Sequence, residues 1–124
     1  MLYAILCYND ETVTTAWSDE KDRETMARLA AVEARLAQVG RLGPVARLLP
    51  TTSATTLRKG RDELVITDGP FAETKEQLLG FFIIDCNDLE EALSAAHDLA
   101  RANPEGGAYE IRPLAIYKPG ETRA

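Results

Sequence analysis

Residues 80–86 read Gly80-Phe81-Phe82-Ile83-Ile84-Asp85-Cys86, and residues 2–8 read Leu2-Tyr3-Ala4-Ile5-Leu6-Cys7-Tyr8. Both are near-continuous apolar runs of strand length, rich in aromatic and β-branched side chains. Successive side chains of a strand point to opposite faces. Leu2, Ala4 and Leu6 therefore share one face, and Tyr3, Ile5 and Cys7 share the other. Phe81 and Ile83 oppose Phe82 and Ile84 in the same way. A sheet with one wet face alternates apolar and polar residues. These two strands are apolar on both sides, so both faces of their sheet need cover.

Helices supply the first cover. Ser18 can cap a helix, with Asp19 and Glu20 favourable in its first turn. Met26, Leu29, Val32, Leu36 and Val39 recur at spacings of three and four, which predicts a helix over about 19–39 stopped by Gly40. Asp88 followed three residues later by Glu91 fits a capping box. Leu89, Ala92, Leu93, Ala96, Leu99 and Ala100 then predict a second helix over about 89–102. Between the helices, Gly43-Pro44 reads as a break and Val45–Leu49 as a short extended piece. Residues 54–58 and 63–67 flank Lys59-Gly60-Arg61-Asp62 as a hairpin. Asn9–Trp17 reads as a polar loop. Tyr109–Tyr117 reads as the last strand, with Pro113 marking an edge or a bulge.

The order β-α-(β)β-β-β-α-β predicts an α+β domain of ferredoxin-like type, with a mostly antiparallel sheet and two helices on one face. Residues 1–118 form this single domain and residues 119–124 a tail. No further segment is left for the second sheet face, so the expected partner is another copy of the chain, a homodimer packed sheet to sheet.

Composition narrows the function classes. The 124 residues carry 14 basic and 20 acidic side chains, a net charge of -6, which weighs against direct nucleic-acid binding. No apolar run approaches the 18 or so residues of a membrane span. The N-terminus lacks a basic leader, so the expected compartment is the cytoplasm. Cys7 and Cys86 sit in strand-like apolar runs and read as reduced core thiols. There is no Cys-x-x-Cys or Cys/His cluster, no Gly-rich phosphate cradle and no nucleophile elbow. No metal, haem or flavin, and no other cofactor, is expected.

From Thr67 to Ile84 the chain reads Thr-Asp-Gly-Pro-Phe-Ala-Glu-Thr-Lys-Glu-Gln-Leu-Leu-Gly-Phe-Phe-Ile-Ile. This resembles the DGPF group of the YCII-related family, whose tetrapeptide stands here as Asp68-Gly69-Pro70-Phe71. Ala72–Leu78, the first strand ending in Tyr8, the Ala54–Arg58 hairpin strand and Glu110-Ile111-Arg112-Pro113 fit the same pattern. Leu79 departs from it, standing where the family usually has glycine. The resemblance implies a dimeric α+β barrel. It also brings a His–Asp pair suggested for the wider family, but the only histidine here, His97, lies on the second predicted helix, so that match fails. Proteins of the group are often encoded beside extracytoplasmic-function sigma factors, which implies a regulatory alternative in which the chain associates with such a factor.

The candidate site follows from the marked loop. Asp68, Gly69 and Pro70 can simply form a tight turn with Phe71 as its anchor, or Asp68 can face a ligand in a cleft at the barrel mouth. Glu73 and Lys75 are either solvated charges or a pocket-edge pair able to move a proton. Arg112 pairs with Asp68 or Glu110, or clamps a carboxylate ligand. Tyr8 ends the first strand, where a pocket wall would lie. The expected ligand-binding set is thus Tyr8, Asp68, Phe71, Glu73, Lys75 and Arg112. Asp68, Lys75 and Arg112 are the catalytic candidates for cofactor-free acid–base chemistry on a small molecule. Trp17 reads as a packing anchor or dimer contact.

Overall fold

The computed structural model describes residues 1–123; Ala124, the end of the expected tail, lies outside the described residues. Six strands and three helices run in the order β1 (Leu2–Asn9), α1 (Glu11–Thr15), α2 (Asp19–Gln38), β2 (Leu42–Arg47), β3 (Thr55–Lys59), β4 (Leu64–Asp68), β5 (Gln77–Asp85), α3 (Leu89–Ala102) and β6 (Ala108–Pro113). A 3-10 turn at Thr51–Ser53 precedes β3. The main sheet is antiparallel in the order β2-β5-β1-β6, and β3-β4 form a separate two-stranded hairpin. The class is α+β, as the strand pattern predicts. The sheet of one chain is open, so the barrel implied by the family resemblance is not closed within a single chain. Four strands are too few to curl shut on themselves.

The register assigns the two faces. Tyr3 opposes Ile84, and Ile5 opposes both Phe82 and Ile111. These residues join Leu29 and Val32 of α2 and Ala92, Ala95, Ala96 and Leu99 of α3 in one core. Ile5, Ile84 and Leu99 are 0% exposed. Leu2, Ala4, Leu6, Tyr8, Phe81 and Ile83 lie on the opposite face, with Glu110 and Arg112 of β6 beside Leu6 and Ala4. No helix covers that face.

Both long helices start where their caps place them. Ser18 Oγ accepts from the Lys21 amide at 3.1 Å, and Asp88 Oδ1 accepts from the Glu91 amide at 2.9 Å. Glu91 reaches back to the Asn87 amide at 2.8 Å, which closes the box one residue earlier than its usual form.

Five details correct the expected map. Asn9–Trp17 contains α1, capped by Asp10, which accepts from Thr12 N at 2.9 Å. Gly43-Pro44 does not break the chain: it lies inside edge strand β2, where the pairing with β5 shifts register. A proline without an amide is tolerated at such an edge bulge. The last strand ends at Pro113, consistent with the edge reading of that proline. Val39 is 64% exposed, because the α2 geometry ends at Gln38. Leu89 and Leu93 of α3 are exposed as well; the buried face is Ala92, Ala95, Ala96, Leu99 and Ala102. The small side chains of that face let the helix lie close against the sheet.

Candidate functional site

One cavity of about 550 Å³ opens between α2, β2 and the helix-facing side of the sheet. Its inner wall comes from the three neighbouring strands: Cys7 of β1, Phe82 of β5 and Tyr109 of β6. Met26 and Leu29 of α2 and Val45 of β2 complete an apolar lining. A β-bulge shapes this end of the sheet. Cys7 pairs with Gly80 but Tyr8 with Leu78, so Leu79 is an extra residue in β5. Leu79 lines the cavity, and its carbonyl accepts from Leu48 N at 2.8 Å, holding the Leu48–Pro50 wall in place.

The helical contribution is periodic. Asp22, Met26, Leu29 and Glu33 all line the cavity and lie four, three and four residues apart, one stripe of α2. Two carboxylates thus bracket two apolar side chains. Asp22 is held by Arg47 of β2 through Nη2–Oδ1 at 2.9 Å and Nη1–Oδ2 at 3.3 Å. Both partners are substantially solvated, so this fork positions more than it stabilises. Glu33 makes no ion pair among the described residues.

Helix α1 borders the opening. Glu11 accepts from the Thr51 amide at 3.0 Å and from the Thr51 hydroxyl, and its own amide donates to Gln77 Oε1 at 2.9 Å. Asn9 is buried; its Nδ2 donates to the Glu105 carbonyl at 3.0 Å and its Oδ1 accepts from Asp10 N at 2.8 Å. Trp17 Nε1 donates to Glu105 Oε2 at 2.9 Å, Lys21 Nζ bonds the other Glu105 oxygen, and Nζ stands 5.5 Å from the indole centroid. This clip ties the start of α2 to the loop before β6 and holds the Glu105 carboxyl below its usual range, chiefly through the Lys21 hydrogen bond. Gly107 in that loop has φ +85°, and a Cβ there would stand 2.4 Å from the Tyr8 carbonyl, so only glycine fits.

Electrostatics differ between lining and rim. Cys7 and Tyr109 are cross-strand neighbours. Burial pushes the Cys7 thiol up to about 12. Burial, with a smaller contribution from Cys7, pushes the Tyr109 hydroxyl up to about 12. Both are neutral around pH 7, so the inner wall carries no charge. The rim carries Glu11, Asp22 and Glu33 against the single cation Arg47, which is already paired.

Of the residues expected from sequence, Tyr8 alone borders this cavity, and its register places its side chain on the opposite sheet face. Asp68 ends β4 and is exposed, and Gly69 takes the left-handed φ of +109° that the turn reading requires. Phe71 is 73% exposed, and its backbone carbonyl accepts from Arg58 Nη2 at 2.8 Å. Glu73 and Lys75 are exposed in the segment between β4 and β5, and Arg112 is exposed on the far face of β6. None of these five forms an ion pair among the described residues, and the single chain does not gather them into one cleft. The residues that sequence reasoning missed are Glu11, Asp22, Glu33, Arg47 and Tyr109. The acidic residues spaced at 22 and 33 around Met26 and Leu29 are the one signal that could have pointed to them. Among the described residues no group of three or more His, Cys, Asp and Glu side chains is placed to hold a metal ion. Among the described residues no helix is long and apolar enough to cross a membrane.

Comparison with known proteins gives the family. Residues 1–117 match the family described as the YCII-related domain. An uncharacterised protein of Rhizobium meliloti (strain 1021) is 63% identical over 121 residues, which cover 98% of each chain.

Proposed function

The chain belongs to the YCII-related family, and from that premise we propose that it is a small-molecule-binding domain whose ligand enters the cavity between α2 and the sheet. The observation that carries this is the cavity itself. About 550 Å³ falls within the roughly 300–1,000 Å³ common for ligand sites, and an apolar lining with a few polar groups at the rim is their usual character. The neutral lining and acidic rim favour an uncharged apolar or aromatic molecule over a carboxylate. The inner wall offers no group that ionises near neutrality, so this reading is of binding rather than proton transfer. Asp68, Gly69, Pro70 and Phe71 do not line the cavity.

The same reading includes a homodimer through the uncovered sheet face. Ala4 and Ile83 are buried there and Leu2, Leu6, Tyr8 and Phe81 half-buried, and a second copy would cover what remains open.

The test uses N-phenyl-1-naphthylamine, a neutral apolar probe. Its emission should rise saturably with one site per chain, and Trp17 emission should fall in step because the indole borders the cavity. Filling the space with Met26→Phe and Val45→Phe should weaken binding at least tenfold while leaving far-UV circular dichroism unchanged. Equal binding to the filled variant, or no saturable binding to the native chain, would overturn the reading.

A further inference from the structure

The walls of the cavity are held with unequal strength. The sheet side is fixed by the strand ladders, and α2 by its packing on the core. A third wall is Leu48–Pro50, a short connection between β2 and the 3-10 turn at Thr51–Ser53 that belongs to no helix or strand. Leu48 is 45% exposed and Leu49 79% exposed, although both line the cavity, so this wall faces water as well as the cavity. Its fastenings are few. Leu48 N donates to Leu79 O at the β2 end. At the other end Thr51 gives both its donors to one side chain: its amide to Glu11 Oε2 at 3.0 Å and its hydroxyl to Glu11 Oε1. The bonds from Ser53 N to Pro50 O and from Ala54 N to Thr51 O lie within the turn and move with it. Glu11 itself is anchored. Its amide donates to Gln77 Oε1 at 2.9 Å, and its carbonyl accepts from the Thr15 hydroxyl at 2.7 Å. Its carboxylate forms no ion pair among the described residues.

We propose that Leu48–Pro50 is the door through which ligand enters and leaves the cavity, and that Glu11 is its latch. With Leu48 N still bonded to Leu79 O, the segment swings about its β2 end once Thr51 is released. Two observations choose this wall over the Trp17 side. There Glu105 accepts from Trp17 Nε1 at 2.9 Å and from Lys21 Nζ, and its backbone carbonyl accepts from Asn9 Nδ2 at 3.0 Å. Parting that clip separates an ion pair and leads an apolar ligand past charged groups, which desolvation disfavours. Leu48 and Leu49 instead present apolar side chains along the path, and their wall opens by releasing a single side chain. Hydrogen bonds to a carboxylate are stronger than those to a neutral acceptor, so Glu11 keeps the door shut and its release sets the rate of ligand exchange. Gating at Glu11 rests on the cavity reading above and adds the path and its control.

Stopped-flow mixing of the full chain with N-phenyl-1-naphthylamine tests the latch. Glu11→Ala should raise the association and dissociation rates together, roughly tenfold, while Kd changes far less. Thr51 does not line the cavity, so Thr51→Val is the cleaner variant. It removes one of the two bonds and should raise both rates about threefold at native Kd. The double variant should be no faster than Glu11→Ala alone, because the hydroxyl then has no latch left to release. Amide hydrogen exchange places the motion: Leu48 and Thr51 should exchange faster in Glu11→Ala, with β1 and β5 at their native rates. No saturable binding to the native chain overturns the cavity reading and the door with it. Saturable binding with native rates in Thr51→Val overturns the door alone, as do rates that rise only with Glu105→Gln. A Kd that weakens in step with dissociation while association stays unmoved makes Glu11 a ligand contact and also overturns the latch. Faster exchange throughout β1 and β5 reports general loosening and overturns it too.

Discussion

Alkylation of Cys7 reports how far the inner wall of the cavity is withdrawn from water. The thiolate is the reactive form. An ordinary thiol of pKa 9.0 is about one-tenth ionised at pH 8; one pushed to about 12 is ionised to about one part in ten thousand. Iodoacetamide should therefore label Cys7 about 1,000-fold more slowly in the native chain than in the urea-unfolded chain. Cys86→Ala removes the second thiol, and peptide mass spectrometry locates the label. The same displacement has a stability consequence. A raised native pKa leaves stability intact below the unfolded value and loses it as pH rises through the native one. The window here is pH 9 to about 12, and the contribution at stake is on the order of 4 kcal/mol at most. Cys7→Ala should flatten the alkaline decline in melting temperature over that window. Native labelling within tenfold of the unfolded rate at pH 8 would refute a desolvated wall.

Further outcomes follow from the same contacts. Glu105 is held below its ordinary carboxyl range by Lys21 and Trp17. The clip is complete above about pH 4.5 and is lost as pH falls through the lower native value, so Trp17 fluorescence should shift in acid and Glu105→Gln should abolish the shift. Gly80→Ala would bring a Cβ to 2.3 Å from the Ala46 carbonyl and should cost about 1–3 kcal/mol in urea denaturation by prising β2 from β5. Asp88→Ala removes the α3 cap and should cost about 1 kcal/mol, read by the same unfolding curve.

The sheet and both long helices were legible because each rests on a local signal. Two-faced apolar strands, the Ser18 and Asp88 caps and the three-and-four spacing on α2 all agree with the final packing. Helix α1 was not legible: Glu-Thr-Val-Thr-Thr has no apolar period, and it forms because Asp10 caps it and Glu11 binds Thr51. β2 was misread at Gly43-Pro44 because an edge bulge accepts residues that a central strand refuses. The cavity was hidden for a different reason. Its wall joins Cys7, Phe82 and Tyr109 through strand register, and its rim joins Asp22 to Arg47 across 25 positions of sequence. The tetrapeptide Asp68–Phe71 is conspicuous in sequence, yet in the single chain it follows the root of the β3-β4 hairpin, with Asp68 and Phe71 exposed and Gly69 and Pro70 half-buried.

The central claim is that the cavity is a ligand site, and amide and methyl NMR shifts on titration with N-phenyl-1-naphthylamine test it most directly. The account predicts saturable shifts at Cys7, Leu29, Val45, Phe82 and Tyr109, with the exposed Asp68–Lys75 segment unmoved. Shifts concentrated at Asp68–Lys75 and Arg112, with the cavity residues silent, would contradict it.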